Sequence, residues 1–492
     1  MGKNFTIPMS RRDFFKLAGL TTAGLMLNNP AKKVEAAEHF NFDGTNIPTL
    51  MTADVCVCGG GPSGTAAAVT AAKNGLNVVL VEKGIVLGGM ATLGCVYPCM
   101  PTFAFDSDTP HIREVNSRIK AHGVEPVLEI EVYTFYGGGA GQYQPEILAE
   151  VYDEMCEEYG VNILYNTVLV GVQTDGGKIT SCIVHTIEGL KKISANIFID
   201  ATGDAVLSRL AGVPIEKGSG KTGKNQPMSF RFEMGGINEN KAYKFFTKKL
   251  KDNWSQDKPP HFEFAKYKKN EDFFNAGVTR GEVTKEDMVY IQAFTIDGKP
   301  DTMTMNCPQI PGEFSSTDAI SYSKAVTYGR KMIRRLAKFF IKNIPGFEKA
   351  YISREASVLG VRESWRIRGK YYLTEADYFE AHKFPDAICK TAYQIDIHDT
   401  NLELSEKLKR GEYYEIPYRA LITNEFENLI VVGRCISSDF SAQSSIRIQP
   451  TCMSMGEAAG IASAWSLKNN IAVNQIDWAT IPENKRSYVS GR

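Results

Sequence analysis

The chain has 492 residues, of which 43% are hydrophobic, 23% charged and 10% aromatic. That is about three times a ~150-residue domain, and the composition excludes a disordered, collagen-like or disulfide-scaffold chain. Basic and acidic residues balance at 56 each, so no global positive field draws the chain to nucleic acid.

Residues 1–37 read as a cleavable leader. Ser10-Arg11-Arg12-Asp13-Phe14-Phe15-Lys16 is a basic head, Leu17 to Leu27 a short apolar stretch, and Val34-Glu35-Ala36-Ala37 a small-residue end. The apolar stretch is too short for a ~20-residue membrane span. The arginine pair before Phe14-Phe15-Lys16 resembles the twin-arginine export signal, an address read by a receptor. That resemblance implies a periplasmic or other extracytoplasmic destination and a cofactor inserted before export. No run of ~18 apolar residues follows Ala37, so the mature chain is expected to carry no membrane span.

Asp54 to Gly60 reads as a buried strand, Ser63 to Ala72 as a helix of small residues, and Asn77 to Glu82 as a second buried strand. Strand, tight turn, helix and strand make one βαβ unit, whose natural product is a parallel sheet. Pro145 to Tyr159 has helical periodicity and stops at Gly160, and Val161 to Tyr165 follows as a strand. Lys178 to Ile187 and Lys191 to Ile199 read as a hairpin leading into another buried strand. The stretch from about 215 to 420 is more charged and aromatic, with a long amphipathic helix from Thr317 to Asn343 that ends before Pro345. Asn428 to Gly433 is again a buried strand, and Cys452 to Leu467 a helix of small residues. The expected fold is α/β. A Rossmann-like dinucleotide-binding domain is formed by 52–215 and 420–475, and an α+β substrate or capping domain, 216–419, is inserted in it.

Gly59-Gly60-Gly61-Pro62-Ser63-Gly64 fits G-x-G-x-x-G. Gly59 permits the tight turn, Gly61 lets backbone amides approach a pyrophosphate, and Gly64 lets the helix pack close to the sheet. The helix N-terminus supplies N–H donors and partial positive charge. Glu82 stands 18 residues after Gly64 at the end of the next strand, where an acid accepts hydrogen bonds from ribose hydroxyls. These features alone leave NAD and FAD both open.

Three further segments decide for FAD by resemblance. Lys83 to Met90 continues past Glu82, and its Gly88-Gly89 pair leaves room for a ribityl chain and flavin ring beside the backbone. Ala201-Thr202-Gly203-Asp204 resembles an inner motif of flavoprotein oxidoreductases. Gly433-Arg434-Cys435, followed by Ser438-Asp439, resembles their late strand and loop. The helix after Pro450-Thr451 then points its N-terminus at the flavin, where a positive helix end stabilises the anionic reduced ring. Leu169 is counted with these cofactor contacts. Taken together the chain resembles the FAD-dependent oxidoreductases related to the flavoprotein subunits of fumarate reductase and succinate dehydrogenase.

That resemblance implies a cofactor more firmly than a reaction. His398, close to Asp396 on one face of a predicted strand from Gln394, is a candidate general acid or base, or a structural histidine. Asp399 points to the other face. Arg447 is a candidate proton donor or carboxylate clamp by analogy with the fumarate-reductase-like enzymes. Arg362 and Arg366 have i, i+4 spacing, for a salt-bridged helix face or an anion site. Cys56 and Cys58 share one face of a buried strand, where packing is the default. Cys95 and Cys99 read as a redox pair, a thioether site or two unrelated thiols. No haem, iron–sulfur or metal-site spacing is found. The expected activity is hydride or electron transfer between flavin N5 and a small polar organic substrate, with a separate electron donor or acceptor as possible partner. Two alternatives stand beside it: a subunit relaying electrons to a redox partner, and a flavin-binding module without turnover.

Overall fold

A computed structural model describes residues 46–124, 141–250, 263–265, 270–398 and 408–491. The expected leader, 1–37, and Asp399 lie outside the described residues. Strand β1 (Thr49–Cys58) is buried along its C-terminal half, as suits a parallel strand covered on both faces. Helix α1 (Pro62–Lys73) opens on Pro62, where a missing N–H costs nothing. Its residues Ala66, Ala67 and Ala71 are fully buried, so the helix lies close on the sheet. Strand β2 (Val78–Val81) pairs with β1 in parallel, Val55 opposite Val78. The short β3 (Pro98–Cys99) and β4 (Gly141–Gln142) pair with each other. Helix α2 (Pro110–Ala121) precedes β4, and α3 (Pro145–Tyr159) follows it. Helix α3 stops at Gly160, whose φ of +74° is a left-handed cap that glycine adopts without penalty.

Strand β5 (Asn162–Leu164) joins β2 in parallel. Strands β6 (Val168–Asp175), β7 (Lys178–Thr186) and β8 (Gly189–Asp200) form an antiparallel meander, and β8 then runs parallel beside β1 with Val57 opposite Ile199. The sheet order is β5-β2-β1-β8-β7-β6. Ile179, Cys182 and Val184 of the meander share a core with Cys56, Cys58, Val79 and Val81.

Helix α4 (Val206–Ala211) and β9 (Ile215–Lys217) lead into the second core. There β10 (Phe232–Gly235), β11 (Glu263–Ala265), β12 (Gln292–Ile296), β13 (Lys299–Met305) and β14 (Tyr351–Glu355) build an antiparallel sheet, ordered β11-β12-β13-β10-β14. Helices α5 (Glu239–Leu250), α6 (Glu271–Thr279) and α7 (Ala319–Asn343) belong to the same stretch. Asp318 caps α7 by accepting from Ser321 N at 2.7 Å, and Met332, Ile333, Leu336 and Phe340 face the core. Cys95 and Tyr97 reach into this core from the first part of the chain.

Strand β15 (Trp365–Ile367) then returns to pair with β9, and β16 (Ala387–Thr391) pairs with β17 (Tyr414–Pro417). Helix α8 (Glu375–Phe379) lies between β15 and β16. Strand β18 (Leu429–Val431) joins β8 in parallel, and α9 (Phe440–Ile446) and α10 (Gln449–Asn469) follow. Ile388, Tyr414 and Tyr418 are buried with Leu80 and Met453 in a third core, distinct from that of Cys56 and Cys58. The fully buried residues of the second core run to Leu359, with Val361 packed against it.

Two local expectations are corrected. Val361 to Arg366 is not helical: pairing of β15 with β9 overrides the i, i+4 spacing. Arg366 therefore pairs with Glu363 and Glu216, while Arg362 donates to the Pro227 carbonyl at 2.6 Å. Gln394 to His398 is not a strand either. It is an irregular strap pinned by side chains: Asp396 N donates to Ser444 Oγ at 3.0 Å, and Gln309 Nε2 donates to the His398 carbonyl at 3.2 Å.

Candidate active site

The β1–α1 turn is built by contacts that only glycine allows. Gly59 has φ +103°, and a Cβ there would stand 2.6 Å from the Ala201 carbonyl oxygen. A Cβ on Gly64 would overlap the Gly59 carbonyl. Gly61 is different: a Cβ there would meet nothing within 4 Å. Its conformation is ordinary, φ −71°, so neither strain nor packing of the polypeptide requires glycine at this position. The open space lies at the N-terminus of α1, which no side chain caps.

Glu82 closes one end of this loop. Its Oε2 accepts from Gly60 N and its Oε1 from Gly84 N, both at 2.7 Å. Gly60 O in turn accepts from Gly88 N at 2.8 Å, and a Cβ on Gly89 would lie 3.2 Å from Gly61 Cα. The second glycine loop, with Met90 next in line, is thus stitched to the first. Lys83 is exposed, and its charge reaches Asp204.

On the other side, Ala201 N donates to Cys58 O at 2.9 Å. Arg434 donates to Gly203 O at 2.8 Å and pairs with Asp204 at 2.6 Å. Burial alone would raise the Asp204 carboxyl, but the Arg434 charge and a Ser364 hydrogen bond outweigh it and hold it below the usual range. Ser63 wedges between two late glycines: a Cβ on Gly433 would lie 2.8 Å from its Oγ, and one on Gly456 would overlap its carbonyl. Pro62 sits beside it in the first turn of α1.

Two residues of the expected cofactor set have partners within the protein. Leu169, on β6, pairs with Val184 on β7 and lines a shallow hollow with Val206 and Leu210. Asp439 caps α9 by accepting from Ala442 N and also accepts from Glu375 N, both at 2.7 Å. The late segment offers other groups. Ser437 Oγ, Ser438 Oγ, Gln449 Oε1 and Thr451 Oγ1 are buried without a hydrogen-bond partner among the described residues. Buried polar atoms of that kind call for a partner. Free space at Gly61 and these waiting groups fit a dinucleotide lying from Glu82 to the start of α10.

The strap brings His398 and Arg447 together through Asp396. Arg447 Nη2 donates to Asp396 Oδ2 at 2.8 Å, and His398 Nε2 lies 3.3 Å from the same carboxylate. Burial, and then the Arg362 charge, push the His398 imidazole down to about 4 despite Asp396. Asp396 itself is held well below its ordinary value: burial opposes this, but His398 and Arg447 prevail. On the other side of the strap Ile395 and Ile397 line a hollow of about 520 Å³ with Lys217, Lys221 and Arg368.

Several further residues surround this cluster, and of them only Arg362 was singled out from sequence, as one of an i, i+4 pair for a helix face or an anion site. Tyr290 packs edge-on to His398 at 5.0 Å, and Asn306 Nδ2 donates to its hydroxyl at 3.4 Å. Arg231 and Arg362 are buried and each pushed down to about 10 by burial, which still leaves them charged at neutral pH. Arg362 feels the charges of Arg447, Asp396 and Arg231. Among the described residues neither Arg231 nor Arg362 pairs with a carboxylate. They come from the second sheet and the β15 approach, and no spacing pattern links them to His398. Cys95 and Cys99 are both buried and free. Cys95 accepts from Tyr97, whose hydroxyl also bonds Glu233.

A Rossmann-like sheet with a glycine cradle and an enclosed polar cluster is the frame of a flavoenzyme, and FAD is its cofactor. The chain belongs to the FAD dependent oxidoreductase family, whose pattern it matches over residues 54–484. It is 29% identical over 140 residues to a mercuric reductase of Streptomyces lividans, a match spanning 27% of this chain and 28% of that protein. Similar solved structures include p-nitrophenol 4-monooxygenase PnpA of Pseudomonas putida DLL-E4 (11% identity, 85% of this chain, 81% of that one, TM-score 0.43). The L-proline dehydrogenase of P. horikoshii is another (13% identity, 88% and 97%, TM-score 0.39). Among the described residues no helix is long and apolar enough to cross a membrane.

Proposed function

We propose that this FAD-dependent oxidoreductase transfers hydride between flavin N5 and a small anionic organic substrate. The observation that carries this reading is, among the described residues, the buried positive excess of Arg231, Arg362 and Arg447 against the one carboxylate of Asp396. Burying unpaired charge is costly, and a carboxylate-bearing substrate relieves that cost. FAD, when bound, supplies the hydride acceptor or donor. Arg362 and Arg231 bind the substrate anion, Arg447 and Asp396 fix the strap, and Tyr290 limits the space over His398. With its imidazole pushed to about 4, His398 is neutral at pH 7. It is then a proton acceptor, which suits substrate oxidation. The link to the fumarate-reductase-like flavoproteins, export through the twin-arginine route and a separate electron partner belong to the same proposal. They rest on the residues quoted for them above.

The test is anaerobic reduction of the FAD-loaded enzyme by a panel of hydroxy- and saturated carboxylates and their neutral amides. Bleaching by carboxylates and not by amides is the expected result, and Arg362→Gln raises the half-saturating concentration about 10- to 100-fold. Equal bleaching by amides sinks the anion reading. A flavin inert to every compound favours a module without turnover.

A further inference from the structure

Cys56, Cys58 and Cys182 gather three thiols where the phosphate-loop strand meets the meander. Cys56 and Cys58 are two apart on β1 and so share a face. Cys182 comes from β7, 124 residues further on. The three sulfurs lie within 4.8 Å of one another, and Cys58 Sγ and Cys182 Sγ are 3.7 Å apart. All three residues are at most 1% exposed. None of the three thiols takes part in the contacts described for the flavin cradle or the His398 cluster.

The distance selects the coordination. With metal–sulfur bonds of about 2.3 Å, a 3.7 Å sulfur separation subtends roughly 107° at the bound atom. A linear two-sulfur ion would need sulfurs about 4.6 Å apart. The angle fits a three-sulfur pyramid, or a tetrahedron with a fourth ligand. The carboxylate whose charge acts on Cys182 is Asp200. Both its oxygens are taken, by Thr202 N and Oγ1 and by Ser208 N and Oγ, at 2.7 to 3.1 Å. A pyramid therefore remains.

Charge selects the element. The sulfurs are packed in a core of Val79, Val81, Phe198 and Ile193. A divalent ion on three thiolates would leave a net negative charge beside a buried carboxylate, at high cost. A trivalent centre on three thiolates is neutral.

We propose that Cys56, Cys58 and Cys182 form a trithiol site for a trivalent soft metalloid, arsenic(III) or antimony(III). Three S–H bonds and three As–OH bonds break, three As–S bonds form, and three waters leave; no electron is transferred. The bound centre ties β1 to β7 directly behind Gly59, the first residue of the phosphate loop. Entry is by opening of the meander, whose outer strand β6 is half exposed.

The test uses the full FAD-loaded chain, warmed with arsenite to just below its thermal transition, desalted, and analysed by native mass spectrometry and arsenic X-ray absorption. The expected result is one arsenic per chain on three sulfurs, with the thermal midpoint raised by several degrees. Cys182→Ser, or Cys182→Val if serine lowers stability, retains FAD and takes up no arsenic. Retention of no arsenic by the native chain, two-sulfur coordination, or equal uptake by the Cys182 variant overturns the site.

Discussion

Gly61 and His398 show how differently two residues reveal themselves. Gly61 was legible because the glycine spacing has a physical meaning fixed by the ligand. The structure adds that its missing side chain leaves open space. Gly61→Val is therefore expected to leave the fold and its urea midpoint nearly unchanged while abolishing flavin absorbance. A yellow Gly61→Val protein would disprove the pyrophosphate placement. His398 was legible only as a residue type near an acid; Arg362 was singled out only as half of an i, i+4 pair, and Arg231 and Tyr290 not at all, because tertiary packing brings them together. With the imidazole at about 4, it is unprotonated above that value and loses its role as proton acceptor as pH falls through it. The acid limb of kcat/KM should lie near pH 4 and disappear in His398→Asn, with flavin content unchanged. A limb that persists in the variant removes His398 from the reaction.

At the scale of elements, long periodic segments were read to within a few residues: α3 as expected, α7 from Ala319 rather than Thr317, α10 from Gln449 rather than Cys452. What failed was short segments whose conformation is set by distant partners, the β15 approach and the 394–398 strap. The small-residue helices hold further information. Glycines at 456 and 460 bring α10 against α1: a Cβ on Gly460 would stand 2.7 Å from Thr70 Cβ, and one on Gly456 would overlap Ser63 O. The same contact carries Ser63 to Gly433 and so positions the start of α10 relative to the phosphate loop. Gly456→Ala is expected to cost about 1–3 kcal/mol in urea unfolding, as overpacking of a close contact does. It should also weaken FAD binding, which Gly75→Ala should not: that change is strained by the φ of +85° but meets no neighbour within 4 Å. Full stability in Gly456→Ala would show that the helices can part without loss.

For the whole molecule the clearest consequence is an acid-sensitive stability set by buried neutral histidine. His111, in the first turn of α2, is 2% exposed with Nε2 unpartnered among the described residues. Burial pushes its imidazole down to about 4; Glu114 opposes the shift and Lys73 adds to it. The unfolded value is about 6.5. Above that pH neither state binds the proton, and stability is unaffected. As pH falls from about 6.5 to about 4 the unfolded chain takes up a proton that the folded chain refuses, so folding weakens; below about 4 both are protonated and the loss levels off. The full effect is about 3 kcal/mol, of which about 2 kcal/mol falls between pH 7 and pH 5. Glu457 accepts from His111 N, and its carboxyl is raised, by burial above all, so protonation of Glu457 in the folded state opposes part of the loss. Comparison with His111→Gln isolates the histidine, because Glu457 is present in both proteins. Urea unfolding at pH 7 and pH 5 should show the native chain losing about 2 kcal/mol more than the variant over that interval. Equal losses would mean that the imidazole is protonated within the fold. Water or a rearranged Glu457 would then have to reach Nε2, and α2 would be less tightly packed on α10 than its burial indicates.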